Sequence, residues 1–319
     1  MSAVAETFEP FLHPALFYAG EQEYLDGTVS FVRAGLAAGD PVAVAVPGEN
    51  LDLIRTGLGA DADAVRLLDM REAGRNPGRI IPGVLRAFAD AQPHGRRVRI
   101  IGEPIWAGRT TTEYPACVQH EALINAAFRG RTVSILCPYD TRRLDPHVIA
   151  DAYATHPTVI HAGTGTGAER DSRAYAPEDV VARYNEPLPP LLGMPSLALS
   201  LSFAADSLAP ARHLATDEAA RLGLTGTRLQ DLALVTAELA TNSVVHGGGS
   251  GTLRVWAEDG YVLCEVHDKG HLADPLAGRR PAARDQRGGR GLLMVNLVAD
   301  LVRVHTDGEG TTVRCWFAR

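Results

Sequence analysis

The sequence predicts two domains of different class: an α/β domain built on a parallel sheet, then an α+β domain built on an antiparallel one. Three observations carry this expectation. The first half alternates short apolar runs with segments of helical period, the pattern of parallel strands covered on both faces. The second half contains a hairpin signal, Asp-Gly between two alternating runs. Between them, residues 161–196 turn rich in Gly and Pro, and Pro187, Pro189 and Pro190 can continue neither a helix nor a central strand. The chain has 319 residues, enough for two domains at roughly 100–200 residues each. The expected layout is a domain over 1–165, a linker over 166–195 and a domain over 196–319.

Each element has a local reason. ALFYAG (15–20) is a short apolar run. Tyr24, Leu25, Thr28, Phe31, Val32 and Leu36 then form a helical stripe that ends at glycines. PVAVAVPG (41–48) is a strand stopped by Pro-Gly, NLDLIRTGLG a short helix and AVRLLDM (64–70) a strand. A helix is expected over 78–91, and RVRIIGEPIW (97–106) begins as a strand. A helix with Ala122, Leu123, Ala126 and Ala127 on one face precedes the strand TVSILCPYD (132–140). In the second half, LALSLSF (197–203) alternates as a half-buried strand. Ser207-Leu-Ala-Pro opens a helix running to about Arg221, with Pro210 tolerated in its first turn. Thr227 is placed to cap a longer helix that ends at glycines. TLRVWAED and YVLCEVHD form the hairpin, a polar loop spans about 269–290, a helix opens at Gly291, and two strands close the chain.

Composition excludes some functions. Hydrophobic residues at 45% and charged residues at 22% are ordinary for a globular chain, so wholesale disorder is excluded. A net charge of −7 argues against a general electrostatic grip on nucleic acid or anionic membrane. Of 31 basic residues only Lys269 is a lysine, so lysine chemistry has one candidate. Cys117, Cys137, Cys264 and Cys315 form no C-x-x-C pair, which argues against a zinc site. The N-terminus lacks a signal-peptide pattern and no apolar run reaches membrane-spanning length, so a cytoplasmic location with reduced thiols is expected.

Three pieces of the second half carry chemistry. Glu238 and Asn242 stand four residues apart, one turn apart on one helical face. The amide oxygen can help hold a hydrated Mg²⁺, and the carboxylate is a candidate base. Taken alone, the pair reads first as the polar face of an amphipathic helix. Asp268 and Gly270 end a hairpin strand, where the carboxylate can accept from an amino group such as adenine's and the glycine lets backbone approach a flat ring. Gly288, Gly289, Arg290 and Gly291 form a glycine cluster opening a helix, suited to phosphates.

In this order and context, with Gly310-Thr311 on the closing strand, residues 196–319 resemble the GHKL (Bergerat-fold) ATP-binding domains. The wording ELATNSVVHG is similar to the anti-sigma-factor serine kinases among them. The resemblance implies Mg²⁺ on Asn242 and Glu238 as the base that takes the hydroxyl proton of a substrate serine. It implies Asp268 on the adenine amino group, Gly270 beneath the ring, Thr311 supporting that end, and Gly289 and Gly291 at the phosphates. Transfer would then rest on positioning and charge neutralisation. His271 and Leu272 depart from the family, whose second glycine is missing here, and favour the alternative of a non-catalytic ATP-binding module. Arg279, Arg280, Arg284, Arg287 and Arg290 can neutralise nucleotide charge or simply sit in solvent. No phosphoacceptor-histidine helix pair is evident.

In the first half, polar and aromatic residues mark the ends of elements: His13, Glu103, Trp106, Glu121 with Asn125, Cys137-Pro138-Tyr139-Asp140 and His156. The strand-end rule allows them to converge on one pocket. HPALFYAG, NPGRII, IGEPIW, EALINAAF, ILCPYD and THP together resemble the MEDS sensory domain over about 11–160. That resemblance implies a RecA-like fold without a P-loop that senses a small molecule. The sequence agrees in having EQEYLDG where a Gly-Lys-Thr loop would sit. His13, Glu103, Trp106 and His156 are the ligand candidates, and a His/Glu metal site competes with hydrogen-bonded structural histidines. Together the resemblances imply partner switching on a sigma factor or a STAS-type anti-anti-sigma protein. They also allow a homodimer, as among relatives of the kinase half, without direct DNA binding or membrane attachment.

Overall fold

Three apolar runs of the first half, Pro14–Tyr18, Val42–Val46 and Val133–Asp140, become strands buried along nearly their whole length, because both faces are covered. A computed structural model of the chain describes residues 11–93, 96–164, 168–189, 198–281 and 289–319. Arg284, Arg287 and Gly288 of the loop before Gly291, residues 165–167 of the GTGTG run, Pro190 and the first ten residues lie outside that set. In chain order the elements are β1 (Pro14–Tyr18), α1 (Glu21–Ala37), β2 (Val42–Val46), α2 (Gly48–Leu58), β3 (Arg66–Asp69) and α3 (Met70–Ala73). The expected 78–91 helix is a 3-10 turn Pro77–Arg79, a π-helical turn Ile81–Arg86 and α4 (Ala87–Ala89). Then come β4 (Val98–Gly102), α5 (Tyr114–Ala127), β5 (Val133–Asp140), α6 (Pro146–Thr155), β6 (Thr158–His161), β7 (Arg170–Asp171) and α7 (Pro177–Arg183).

Two compact units form: one of Met1–Gly74 and Ile80–Ala182, the other of Arg75–Arg79 and Arg183–Arg319. The first is a seven-stranded sheet in the order β3-β2-β4-β5-β1-β6-β7. Its ladders are parallel except for β7, which runs antiparallel to β6. Leu16, Val44, Val46, Ile101 and Leu136 pack with Val32 of α1 and Ile54 of α2 into its core. This places the carboxyl ends of β1, β2, β4 and β5 along one edge of the sheet. The expected linker over 166–195 is in part ordered. Arg170–Asp171 extends the sheet, and Val180 of α7 is fully buried, so the first unit reaches Ala182.

The second unit is antiparallel throughout, in the order β11-β12-β10-β9-β8. Its elements are β8 (Leu199–Ala204), α8 (Leu208–Arg221), α9 (Gly226–His246), β9 (Ser250–Glu258), β10 (Tyr261–Asp268), α10 (Gly291–Val298), β11 (Leu301–Thr306) and β12 (Thr311–Ala318). Alternation sends Leu253, Val255, Val262, Cys264, Val266 and Cys315 against Ala215, Leu232, Val235 and Leu239 of the helices. The opposite face carries Glu265, held by Arg314 at 2.8 and 2.6 Å. Asp259 and Gly260 turn the β9–β10 hairpin with φ of 46° and 84°, the left-handed pair that matches strand twist. The α9 cap differs from expectation: the helix begins at Gly226 behind Thr225, without a side-chain capping bond, so Thr227 lies inside its first turn. Asn76 is fully buried in this unit. Its Nδ2 donates to the Asn296 carbonyl at 2.8 Å, and its Oδ1 accepts from the backbone N–H of Gly78 and Val302. Among the described residues no helix is long and apolar enough to cross a membrane.

Candidate functional site

A cleft of about 550 Å³ opens in the second unit between α9, the end of β10, the loop after it and the start of α10. Asn242, Asp268, Gly270, Gly289, Gly291 and Thr311 all line it, so the structure brings these sequence-selected residues together. Asp268 is held at both oxygens: Ser243 Oγ donates to Oδ2 at 2.6 Å and the Gly270 N–H to Oδ1 at 2.8 Å. Each oxygen keeps a second lone pair for an external amino group. Two glycines make this possible. A Cβ on Gly247 would lie 2.3 Å from Asp268 Cγ, and one on Gly270 would lie 2.8 Å from both Gly247 Cα and the His246 carbonyl. Gly310 adopts φ +147°, and a Cβ there would lie 2.0 Å from the Asp268 carbonyl. Gly247 was not singled out from the sequence. Its signal is its place five residues past Asn242, where α9 ends against β10.

Thr311 Oγ donates to the Gly270 carbonyl at 2.8 Å. Its proton is thereby committed, so Thr306 Oγ donates to Thr311 Oγ at 2.8 Å while accepting from the Leu272 N–H at 3.1 Å. Thr306, also missed in the sequence, thus steadies the segment where His271 and Leu272 replace the expected glycine. Both of those residues line the cleft.

Glu238 is half-buried one turn before Asn242. A Cβ on Gly291 would lie 2.6 Å from Glu238 Oε2 and 3.3 Å from Asn242 Nδ2, so the first residue of α10 passes directly over the pair. Asn296 Nδ2 donates to the Gly278 carbonyl at 3.1 Å, tying α10 to the loop. Of the loop arginines, Arg280 lines the cleft and pairs with Asp274, Arg279 is largely buried, and Arg290 is exposed at the start of α10. Lys269 is exposed, its backbone N–H donating to Gly247 at 3.2 Å.

The four N-terminal candidates do not converge on one pocket. Glu103 and Trp106 line a cleft of about 440 Å³ at the carboxyl ends of β1, β2, β4 and β5, with Tyr18, Asn50, Asp140 and Arg143. Such an edge is where open parallel sheets bind ligands. Glu103 accepts from Asn50 Nδ2 at 2.8 and 2.9 Å and from the Tyr24 hydroxyl at 3.1 Å. Burial pushes its carboxyl up to about 8, despite these hydrogen bonds. The Arg109 guanidinium stacks 4.0 Å from the Trp106 ring.

His13 and His156 lie elsewhere because they precede β1 and β6, at the opposite ends of parallel strands. Their rings are 4.1 Å apart and fully buried, with Glu121 of α5 and Cys137 of β5 beside them. Burial, reinforced by His156, pushes the His13 imidazole down to about 4. Burial alone would raise Glu121, but the two imidazoles, where they act as Nε2–H donors, hold its carboxyl below the usual range. Burial and Glu121 push the Cys137 thiol up.

Each part of the chain is similar to a known family. Residues 12–157 match the family model described as MEDS, the methanogen/methylotroph DcmR sensory domain. Residues 201–317 match the histidine kinase-like ATPase domain. No curated protein matches the chain.

Proposed function

We propose that this chain is a signalling protein in which a small-molecule-sensing unit controls a Mg·ATP-binding unit of the anti-sigma serine-kinase type. On this reading it acts by partner switching on a sigma factor or a STAS-type anti-anti-sigma protein. The observation that carries it is the placement of Glu238 and Asn242 under the first residue of α10, with Asn242 lining the cleft where Asp268 is fixed. The family matches support a sensor joined to an ATPase-like domain. The sheet of the first unit, with no lysine in its half of the chain, supports reading it as a RecA-like domain without a P-loop. The cleft at Glu103 and Trp106 is the place for its ligand.

The residues present fit Mg·ATP. Asp268 offers a charged acceptor with free lone pairs, and glycines at 247 and 270 leave a cradle that a Cβ would fill. Asn242 would hold the cation, and Gly289 and Gly291 would present backbone N–H groups to phosphates at the start of α10. Bound Mg·ATP supplies the phosphoryl group and the cation that neutralises its charge. Thr311 and Thr306 hold the Gly270–Leu272 backbone, and Glu238 takes the proton from the acceptor serine hydroxyl.

Incubation of the full chain with γ-labelled ATP and candidate STAS proteins tests the assignment. Label should pass to a partner serine, and Glu238→Ala should abolish transfer while ATP still binds. Binding without transfer to any partner would instead support a regulatory nucleotide module, the second reading, which the His271-Leu272 replacement favours.

A further inference from the structure

Four donor atoms converge in the first unit from four separate elements: His13 Nε2 before β1, Glu121 Oε2 on α5, Cys137 Sγ on β5 and His156 Nε2 after α6. His13 Nε2 and His156 Nε2 lie 3.3 and 3.5 Å from Glu121 Oε2. Cys137 Sγ lies 3.5 Å from His13 Nε2 and 3.5 Å from Glu121 Oε2, and all four atoms fall within 4.8 Å of one another. Zinc bonds are about 2.0–2.2 Å to nitrogen and oxygen and 2.3 Å to sulfur, so a tetrahedral ion sets neighbouring donors about 3.3–3.6 Å apart. Four of the six donor separations match the edges of such a tetrahedron, and the other two lie within 4.8 Å.

Hydrogen bonding does not account for the cluster. Asn125 Nδ2 is committed to the Thr155 and Ala122 carbonyls, so its oxygen faces His13 Nδ1 at 3.1 Å. His156 Nδ1 lies 2.9 Å from the Ala152 carbonyl. Both Nδ1 atoms are therefore donors, and in the neutral rings both Nε2 atoms turn bare lone pairs inward. Two lone pairs and a carboxylate then meet one weak thiol donor. His156 Nε2 and Glu121 Oε1 have no hydrogen-bond partner although both residues are fully buried. A divalent ion removes this conflict. With the thiol proton lost to solvent, one thiolate, one carboxylate and two neutral imidazoles cancel its charge, as a fully buried site requires.

We infer that the N-terminal unit holds a divalent ion of the zinc class through His13, Glu121, Cys137 and His156. Four protein ligands close the coordination shell, so the ion clamps β1, α5, β5 and α6 rather than presenting an open catalytic position. Asn125 is a positioning residue, orienting the His13 ring. The site is independent of the ATP reading, since its ligands belong to the other unit.

Elemental analysis of the untagged full chain, purified without chelators, should find roughly one zinc ion per chain. Replacement by Co²⁺ should give tetrahedral d–d bands and a thiolate-to-cobalt charge-transfer band. That band should vanish in Cys137→Ser and persist in Cys117→Ser, with circular dichroism reporting folding of each. Asn125→Ala should weaken zinc affinity about 10–100-fold in a chelator competition. Should Cys137→Ser fail to fold, stoichiometry and the wild-type cobalt spectrum decide alone. A folded wild-type chain that takes up no stoichiometric zinc and shows no charge-transfer band overturns the inference, as does a band that survives in folded Cys137→Ser.

Discussion

Replacing Gly247 by alanine puts a methyl carbon 2.3 Å from Asp268 Cγ and 2.5 and 2.6 Å from its two oxygens, against an ordinary contact of 3.4–4 Å. The carboxylate must move by about 1 Å to relieve the overlap. It cannot do so freely, because Ser243 holds one oxygen at 2.6 Å and the Gly270 N–H the other at 2.8 Å. A shift of that size carries both bonds beyond about 3.5 Å, past useful hydrogen-bond length. A hydrogen bond to a charged group contributes about 1.5–3 kcal/mol. Losing the Asp268 contact to a bound amino group should therefore weaken ATP binding about 10–100-fold. Titration calorimetry with Mg·ATP measures this directly. Gly308→Ala is the matched control, since nothing lies within 4 Å of a Cβ there. A folded Gly247→Ala chain that binds ATP as tightly as the wild type would refute the role given to Asp268.

Gly291→Ala meets only side-chain ends, Glu238 at 2.6 Å and Asn242 at 3.3 Å, so stability should change little, while serine phosphorylation falls at least about tenfold as the carboxylate is displaced; equal transfer rates would contradict this. Thr306→Val removes the acceptor for Leu272 and the donor to Thr311, and should weaken ATP binding by about 1 kcal/mol without unfolding the unit, as calorimetry checks. Glu103 has a folded pKa near 8, raised above its unfolded value by burial. Its contribution is fully present below about pH 4.5 and is lost as pH rises through 8. The unfolding free energy from urea titrations should thus fall for the wild type relative to Glu103→Gln between those pH values, by about a few kcal/mol; parallel curves would contradict the assignment.

Local chemistry made much of the second unit legible. Asp259-Gly260 dictates the hairpin, and the glycines before α10 mark its start. Glu238 and Asn242 share a helical face by period alone. What pattern could not reach was tertiary. Thr306 acts only because antiparallel pairing sets it opposite Thr311. In the first unit, the end-of-element residues suggested one pocket. Parallel strands, however, put the starts of β1 and β6 on one edge and the ends of β1 and β4 on the other, so His13 and His156 part from Glu103 and Trp106. The absence of a C-x-x-C pair argued against zinc, but that rule sees only ligands close in sequence. Cys137 and His13 are separated by 124 positions and meet through β1–β5 pairing. The stretch after residue 166 looked like a linker from its Gly and Pro content, yet a single buried valine, Val180, anchors α7 within it.

On the proposed reading, the cleft between α9 and α10 is a Mg·ATP site organised by Asp268. Titration of the folded full-length chain with ATP, with and without Mg²⁺, beside Asp268→Asn, tests it most directly. Binding should be saturable and Mg²⁺-dependent, and should weaken at least about tenfold in the variant. No binding by the wild type, or equal affinity in Asp268→Asn, would contradict it.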